Sequence, residues 1–271
     1  MANILGVPIN STQLASLLNE INDLIEEKPG FKAKNPLVIF TPNPEFLVAS
    51  QKDKIFFENL KKSDINIPDG FGLVVFSRLS GQPVEERVSG ADLVSGLLKM
   101  ANEKGWEIGI AGARRGDKEE VALLLKRLEE KYPGVEFINL DDPKFKILNS
   151  RPPGFALPQM TCNVGQARQS GQVKFEIVLA CHGMVKQEEW ILENKNKIKA
   201  KIFIGIGGSL DFLTGFSSRA PLVMRKIGLE WFWRGLTKPG HWKRALTAAV
   251  VFPWLVIKER LNSQFSNSNL Q

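Results

Sequence analysis

In the stretch "NIPDGFG", residues 66 to 72, Asp69 stands between a proline and a glycine, and an apolar run "LVVF" follows. Proline fixes φ and glycine opens conformations closed to other residues, so the acid is presented on a rigid corner. A carboxylate held this way suits one chemistry, taking a proton from a hydroxyl as a general base. Pro-Asp-Gly is also an ordinary turn sequence, and the corner alone favours the turn.

Other polar groups follow apolar runs in the same manner. Thr41 and Asn43 come after "LVIF", and Gly112 with Arg114 and Arg115 after "WEIGIA". "CHGMVKQE" follows "FEIVLA", and Gly207, Gly208 and Asp211 follow "KIFIGI". Glycines let a backbone approach a diphosphate, and arginines add charge-assisted hydrogen bonds. The spacing in "GIAGARRG" is neither the dinucleotide fingerprint nor a phosphate loop with its lysine. His182 and Cys181 are adjacent on a strand and point to opposite faces, so they cannot form a dyad, and His182 reads as a histidine without catalytic duty. With His241 as the second and last histidine and no DxD pattern, no metal and no cofactor is expected. Any departing diphosphate must then be stabilised by cations and backbone amides.

Short apolar runs alternating with helical periodicity carry these groups. Strands are expected at 37–40, "INI" before Asp69, 106–111, "VEFI", "FEIVLA" and "KIFIGIG". One long helix is expected over "PEFLVASQKDKIFFENLKK", with further helices over "FGLVVFSRL", "GADLVSGLLKMANEKG", "DKEEVALLLKRLEEKY" and "KQEEWILENKNK". The pattern predicts an α/β fold, Rossmann-like, with a mainly parallel sheet flanked by helices. In such sheets ligands bind at the carboxyl ends of strands, so the five polar strand ends read as one pocket. Residues 141 to 172, rich in Pro, Gly, Asn and Gln, break the alternation and are expected to be a mobile active-site element or to hide a short helix.

Composition narrows the class. Two cysteines outside any CxxC pair argue against a disulfide scaffold, and 43% hydrophobic with 24% charged residues is ordinary for a globular chain. The start has no signal-peptide pattern, and the apolar run 245–257 is shorter than the ~20 residues of a bilayer span. From Arg219 onward nine basic residues face only Glu230 and Glu259, so this tail holds the whole net charge of +7. Four of the six tryptophans lie there too. Cations mixed with indoles and aliphatics suit an anionic membrane surface, and no nucleic-acid-binding motif competes. The plain alternative is a packed helix with a solvated basic face.

Taken together, "TPNPEF", "IPDGFGLV", "ERVSGADL", "GIAGARRG", "KQEEW", "GGSLDFLTGFSSRAP" and "GLEWFWR" resemble the WecG/TagA/CpsF group of bacterial glycosyltransferases, glycosyltransferase family 26, over residues 4 to about 245. The resemblance implies an inverting, metal-independent transfer, often of N-acetylmannosamine, from a UDP-sugar to an undecaprenyl-diphosphate-linked sugar at the cytoplasmic membrane face. It places the base on Asp69, pocket residues on Thr41, Asn43, Arg87 and Gln187, and cations for the acceptor diphosphate or membrane on Arg219, Arg234, Lys243 and Arg244. Gly112, Arg114, Gly207, Gly208 and Asp211 join the expected substrate-binding set. The implied organisation is a catalytic domain over 1–218 and a membrane-associating appendage over 219–271, with homo-oligomer formation left open.

The chain departs from the family pattern in three places. His241 stands near the position of the tail's usual middle arginine, with Lys243 as the neighbouring cation, "ACHGMV" replaces a "GxGxP" run, and "KF" replaces the usual "PD" before that strand. These put the donor sugar in question. A dinucleotide-dependent oxidoreductase and a non-catalytic membrane-binding module are the alternative readings.

Overall fold

Six strands pair in parallel in the order β4-β3-β8-β7-β5-β6: β3 Leu37–Phe40, β4 Ile65–Asn66, β5 Glu107–Ala111, β6 Glu136–Asn139, β7 Phe175–Ala180 and β8 Ala200–Gly205. This computed structural model describes residues 1–29, 36–79, 81–143, 145, 174–226, 230–237, 242 and 246–268. Most of the segment 141–172, and His241, Lys243 and Arg244, therefore lie outside the described residues.

Alternation within the strands explains the layering. Ile39, Ile177, Leu179, Ile202 and Ile204 bury one face of the sheet against α1 (Leu14–Ile25), α5 (Gly90–Lys104) and α6 (Lys118–Lys131). Val38, Phe40, Val178, Ala180 and Phe203 bury the other against α2 (Pro44–Ser50), α3 (Lys54–Leu60), α4 (Phe71–Leu79) and the helix Lys186–Asn194, here α7. Period-two burial on both faces is what makes these strands near-continuous apolar runs. The parallel α/β expectation holds.

The single helix expected from Pro44 to Lys62 is two. Asp53 accepts the Phe56 N–H at 3.0 Å and starts α3 afresh, so a capping side chain overrides the continuous periodicity. The helix expected through "KNK" ends at Asn194. A feature with no expectation behind it is a hairpin of β1 (Ala2–Ile4) and β2 (Val7–Ile9), turned at Leu5 and Gly6 with φ of 52° and 78°.

Beyond β8 come α8 (Ser209–Leu213), α9 (Leu222–Lys226) and α10 (Glu230–Thr237). A π-helical turn, Thr247–Val251, then leads into α11, Phe252–Ser268. Phe252 is fully buried, its ring edge-on to Phe76 with centroids 5.5 Å apart, and Val256 is buried one turn on. Glu259 accepts the Leu5 N–H at 3.2 Å. The outer side of the same stretch exposes Leu246, Val250, Trp254, Ile257 and Leu261, at spacings of three and four residues. Among the described residues, no helix is long and apolar enough to cross a membrane.

Candidate active site

The sheet register brings the expected strand ends to one edge. Phe40 pairs with Asn66, Ile39 with Ile204, Ala180 with Gly205, and Ala111 with Ala180. Thr41, Asp69, Gly112, His182 and the Gly207–Gly208 turn therefore follow neighbouring strands of one sheet at their carboxyl ends.

The Asp69 corner is fixed by backbone and packing together. Asp69 N–H donates to Pro42 O at 2.9 Å, and Val88 N–H donates to Pro68 O at 3.2 Å. A Cβ on Gly70 would lie 2.8 Å from Pro44 Cδ, so the residue after the acid must be glycine for the corner to close on α2. Arg87 faces the carboxylate, with Nη2 3.7 Å from Asp69 Oδ1 and 2.6 Å from Glu230 Oε2. Its other terminal nitrogen donates to Arg225 O at 3.4 Å. Burial works most strongly against the Arg87 charge, but Asp69 and Glu230 outweigh it and its pKa is raised. Asp69 and Arg87, expected in one site, are together. Glu230 has no role in the sequence reading, and its signal is being one of only two acids in a basic tail.

Thr41 and Asn43 are drawn into the scaffold of the site. Thr41 Oγ1 donates to Gly205 O at 2.9 Å, joining the ends of β3 and β8. Asn43 Oδ1 caps α2, accepting from the Glu45 and Phe46 amides at 2.9 and 3.2 Å. A hydroxyl that donates once still accepts, and a capping asparagine keeps its amino group, so both retain capacity for a ligand. Gln187 is buried. Its Oε1 accepts the Gly207 N–H at 2.8 Å, and its Nε2 donates to Glu188 at 2.6 Å.

Arg114 and Asp211, both expected to hold substrate, hold each other at 3.1 Å. Arg114 also pairs with Glu120 at 2.8 Å and lies over the Phe216 ring at 4.3 Å. Arg114 and Arg115 both have positive φ, a conformation L residues rarely adopt, in the 3-10 turn Ala113–Gly116. Gly112 N–H donates to Asp141 Oδ2 at 2.6 Å. A Cβ there would meet the His182 ring at 2.4 Å, so the imidazole rests on bare backbone. On its other contact, His182 stacks on Trp190 with centroids 5.2 Å apart. Burial, opposed by Asp141 and reinforced by Lys186, pushes the His182 pKa down and favours neutral imidazole. Burial first, then Asp211 and Asp141, push the Cys181 thiol far up, which leaves it a poor nucleophile.

Arg219 is engaged by Asp92 on α5, at 2.6 and 3.2 Å, and by Ser89 Oγ at 3.4 Å. Arg234 lies on α10, with its side chain outside the described residues. Among the described residues, no three His, Cys, Asp or Glu side chains are grouped to hold a metal ion.

A parallel α/β sheet with a carboxylate–guanidinium pair and glycine turns at one edge supports many activities, and the family match decides among them. The model of the glycosyl transferase WecG/TagA/CpsF family matches residues 2–266, and the chain belongs to that family. It is 29% identical over 259 residues to an N-acetylglucosaminyldiphosphoundecaprenol N-acetyl-beta-D-mannosaminyltransferase of Bacillus subtilis strain 168, covering 96% of this chain and 92% of that one. Proteins of the same name from Staphylococcus aureus strains MRSA252 and NCTC 8325 are each 26% identical, covering 95% of this chain and 92% of theirs. The chain is thus a glycosyltransferase, and the oxidoreductase and non-catalytic alternatives fall away.

Proposed function

We propose that the chain transfers an N-acetylmannosaminyl or related N-acetylhexosaminyl unit from its UDP-sugar to a polyprenyl-diphosphate-linked sugar. The product belongs to cell-surface polysaccharide or teichoic-acid-type synthesis. The supporting observation is the Asp69 corner beside Arg87, at the strand edge shared with the glycine turns. The names of the relatives supply the sugar and the acceptor.

Asp69 takes the proton of the acceptor hydroxyl as that oxygen attacks the anomeric carbon, and UDP leaves from the opposite face, inverting the centre. The Gly208 amide, in the turn that Gln187 holds at Gly207, and nearby cations receive the developing diphosphate charge, without a metal. Thr41, Asn43, Arg87 and Gln187 shape the sugar pocket, and Gly112, Arg114 and Asp211 border the nucleotide.

The segment 219–271 is read as the membrane-facing appendage of a catalytic domain spanning 1–218. The exposed stripe Leu246–Val250–Trp254–Ile257–Leu261, with Lys258 over the Trp254 ring, supports docking on the anionic cytoplasmic face of the plasma membrane. Arg219, Arg234, Lys243 and Arg244 serve the acceptor diphosphate or the lipid surface.

The test is release of UDP from UDP-N-acetylmannosamine in the presence of a polyprenyl-diphosphate-linked N-acetylglucosamine. Wild type should turn over, and folded Asp69→Asn should lose about 100-fold or more, the usual scale of a general base. Near-normal turnover by Asp69→Asn sinks the assignment of the base. Thermal stabilisation by a panel of UDP-sugars identifies the donor.

A further inference from the structure

Glu188 is fully buried, and each of its carboxylate oxygens accepts a hydrogen bond. Oε2 takes the Val185 N–H at 2.8 Å, and Oε1 takes Gln187 Nε2 at 2.6 Å. Gln187 Oε1 in turn takes the Gly207 N–H at 2.8 Å. One line of polar contacts therefore runs from the N-cap of α7, through two consecutive side chains in its first turn, to the turn after β8. Val185, a β-branched residue at φ 74° and ψ −57°, shows that the backbone here is held against its preference.

We propose that Glu188 is a positioning residue for the transfer reaction: it fixes which way round the Gln187 amide lies, and through it the Gly205–Gly208 turn. The proposal rests on reading this strand edge as the UDP-sugar pocket.

The argument is one of hydrogen-bond polarity. A side-chain amide can lie two ways round, and only one of them presents oxygen to the Gly207 N–H. The reverse orientation sets Nε2 against that N–H, donor against donor, in a buried place where the mismatch has no water to relieve it. In the ionised form that predominates above about pH 7, Glu188 forbids the reversal because its carboxylate accepts at both oxygens. A glutamine at 188 must turn its amino group towards either Val185 N–H or Gln187 Nε2. The turn cannot absorb the error by shifting, since a Cβ on Gly205 would already lie 3.0 Å from Gln187 Nε2. Backbone and amide are packed together with no slack.

Three full-length variants test this: Glu188→Gln, Gln187→Glu, and the double exchange of the two. In Glu188→Gln, kcat/KM for the UDP-sugar should fall about tenfold to a hundredfold, with UDP affinity falling alongside and the Gly207 amide exchanging faster. In the double variant the carboxylate at 187 accepts from Gly207 N–H and from the amide at 188, whose oxygen accepts from Val185 N–H. Gly207 protection and UDP affinity should then return towards wild type, which loss of packing alone would not produce. Wild-type values of both in Glu188→Gln, or a double variant no better than the worse single one, overturn the proposal. If Glu188→Gln does not fold, the double variant decides, since restored pairing requires a folded protein with a protected Gly207. A wild type that turns over no UDP-sugar removes the functional reading, while Gly207 exchange still decides the positioning role.

Discussion

Asp69 and Glu230 share one guanidinium. Arg87 lies between them, 3.7 Å from the first and 2.6 Å from the second, so the Asp69 corner and α10 are joined through a single side chain. Removing the closer carboxylate leaves a largely buried cation with less compensation. Glu230→Gln should destabilise the protein by about 1–3 kcal/mol and slow transfer, because Arg87 is no longer held in place. Melting temperature and UDP release measure the two effects. Wild-type values for both would disconnect α10 from the site.

Gly112→Ala should be disruptive in two ways. The backbone is at φ +68°, and the added methyl would meet the His182 ring at 2.4 Å. The strain alone costs about 1 kcal/mol, and expelling the imidazole from its stack on Trp190 adds to it. A lower melting temperature and weaker UDP binding are expected, and calorimetry would show both. Gly116→Ala is the control, since it has similar φ but nothing within 4 Å of the new methyl.

Glu188 also gives a stability signature. Burial first, opposed by its hydrogen bonds, lifts its pKa from 4.5 to about 7. The folded form therefore holds this proton more tightly than the unfolded chain. The stability linked to it is complete below pH 4.5 and is lost as pH rises through about 7. Wild type should lose stability relative to Glu188→Gln over that window, by up to about 3 kcal/mol. Denaturant titrations at pH 5 and pH 8 give the comparison, and a stability difference that does not shift in the variant's favour as pH rises contradicts it.

Trp254→Ser combined with Leu261→Ser should weaken co-sedimentation with phosphatidylglycerol vesicles about tenfold, while the melting temperature stays within about 2 °C. Both side chains are exposed on the outer stripe, so the packing of Phe252 and Val256 is untouched. Equal pelleting of wild type and variant would reject membrane docking through this face.

How much of this was legible in the chain depends on the distance over which each fact operates. The strands were legible because Ile39, Ile177 and Ile204 alternate with Phe40, Val178 and Phe203 in runs apolar on both faces. The hairpin at 2–9 was not, because three-residue strands are too short to show a period. The break before α3 was hidden because Asp53 acts through one local hydrogen bond that periodicity does not register. Asp69 was visible from its turn chemistry. Its environment was legible in part: the resemblance put Arg87 in the same pocket, but Glu230 reaches that guanidinium only when the sheet and α10 are assembled. Likewise the pairing of Arg219 with Asp92, or of Arg114 with Asp211, joins residues about a hundred positions apart. Residue types suggested their charges but not that they would neutralise each other.

The hydrogen bond from Leu5 N–H to Glu259 joins a hairpin made first to a helix made last. A nascent chain that has emerged only as far as residue 218 has all six sheet strands but neither the second carboxylate of Arg87 nor the ring of Phe252 against Phe76. Contacts of such long sequence separation form late and slow the folding rate. Arg87 thus gains its closer carboxylate only after α10 has been synthesised. A ribosome-bound fragment ending at residue 218 therefore lacks the anchor that holds Arg87 in place beside Asp69.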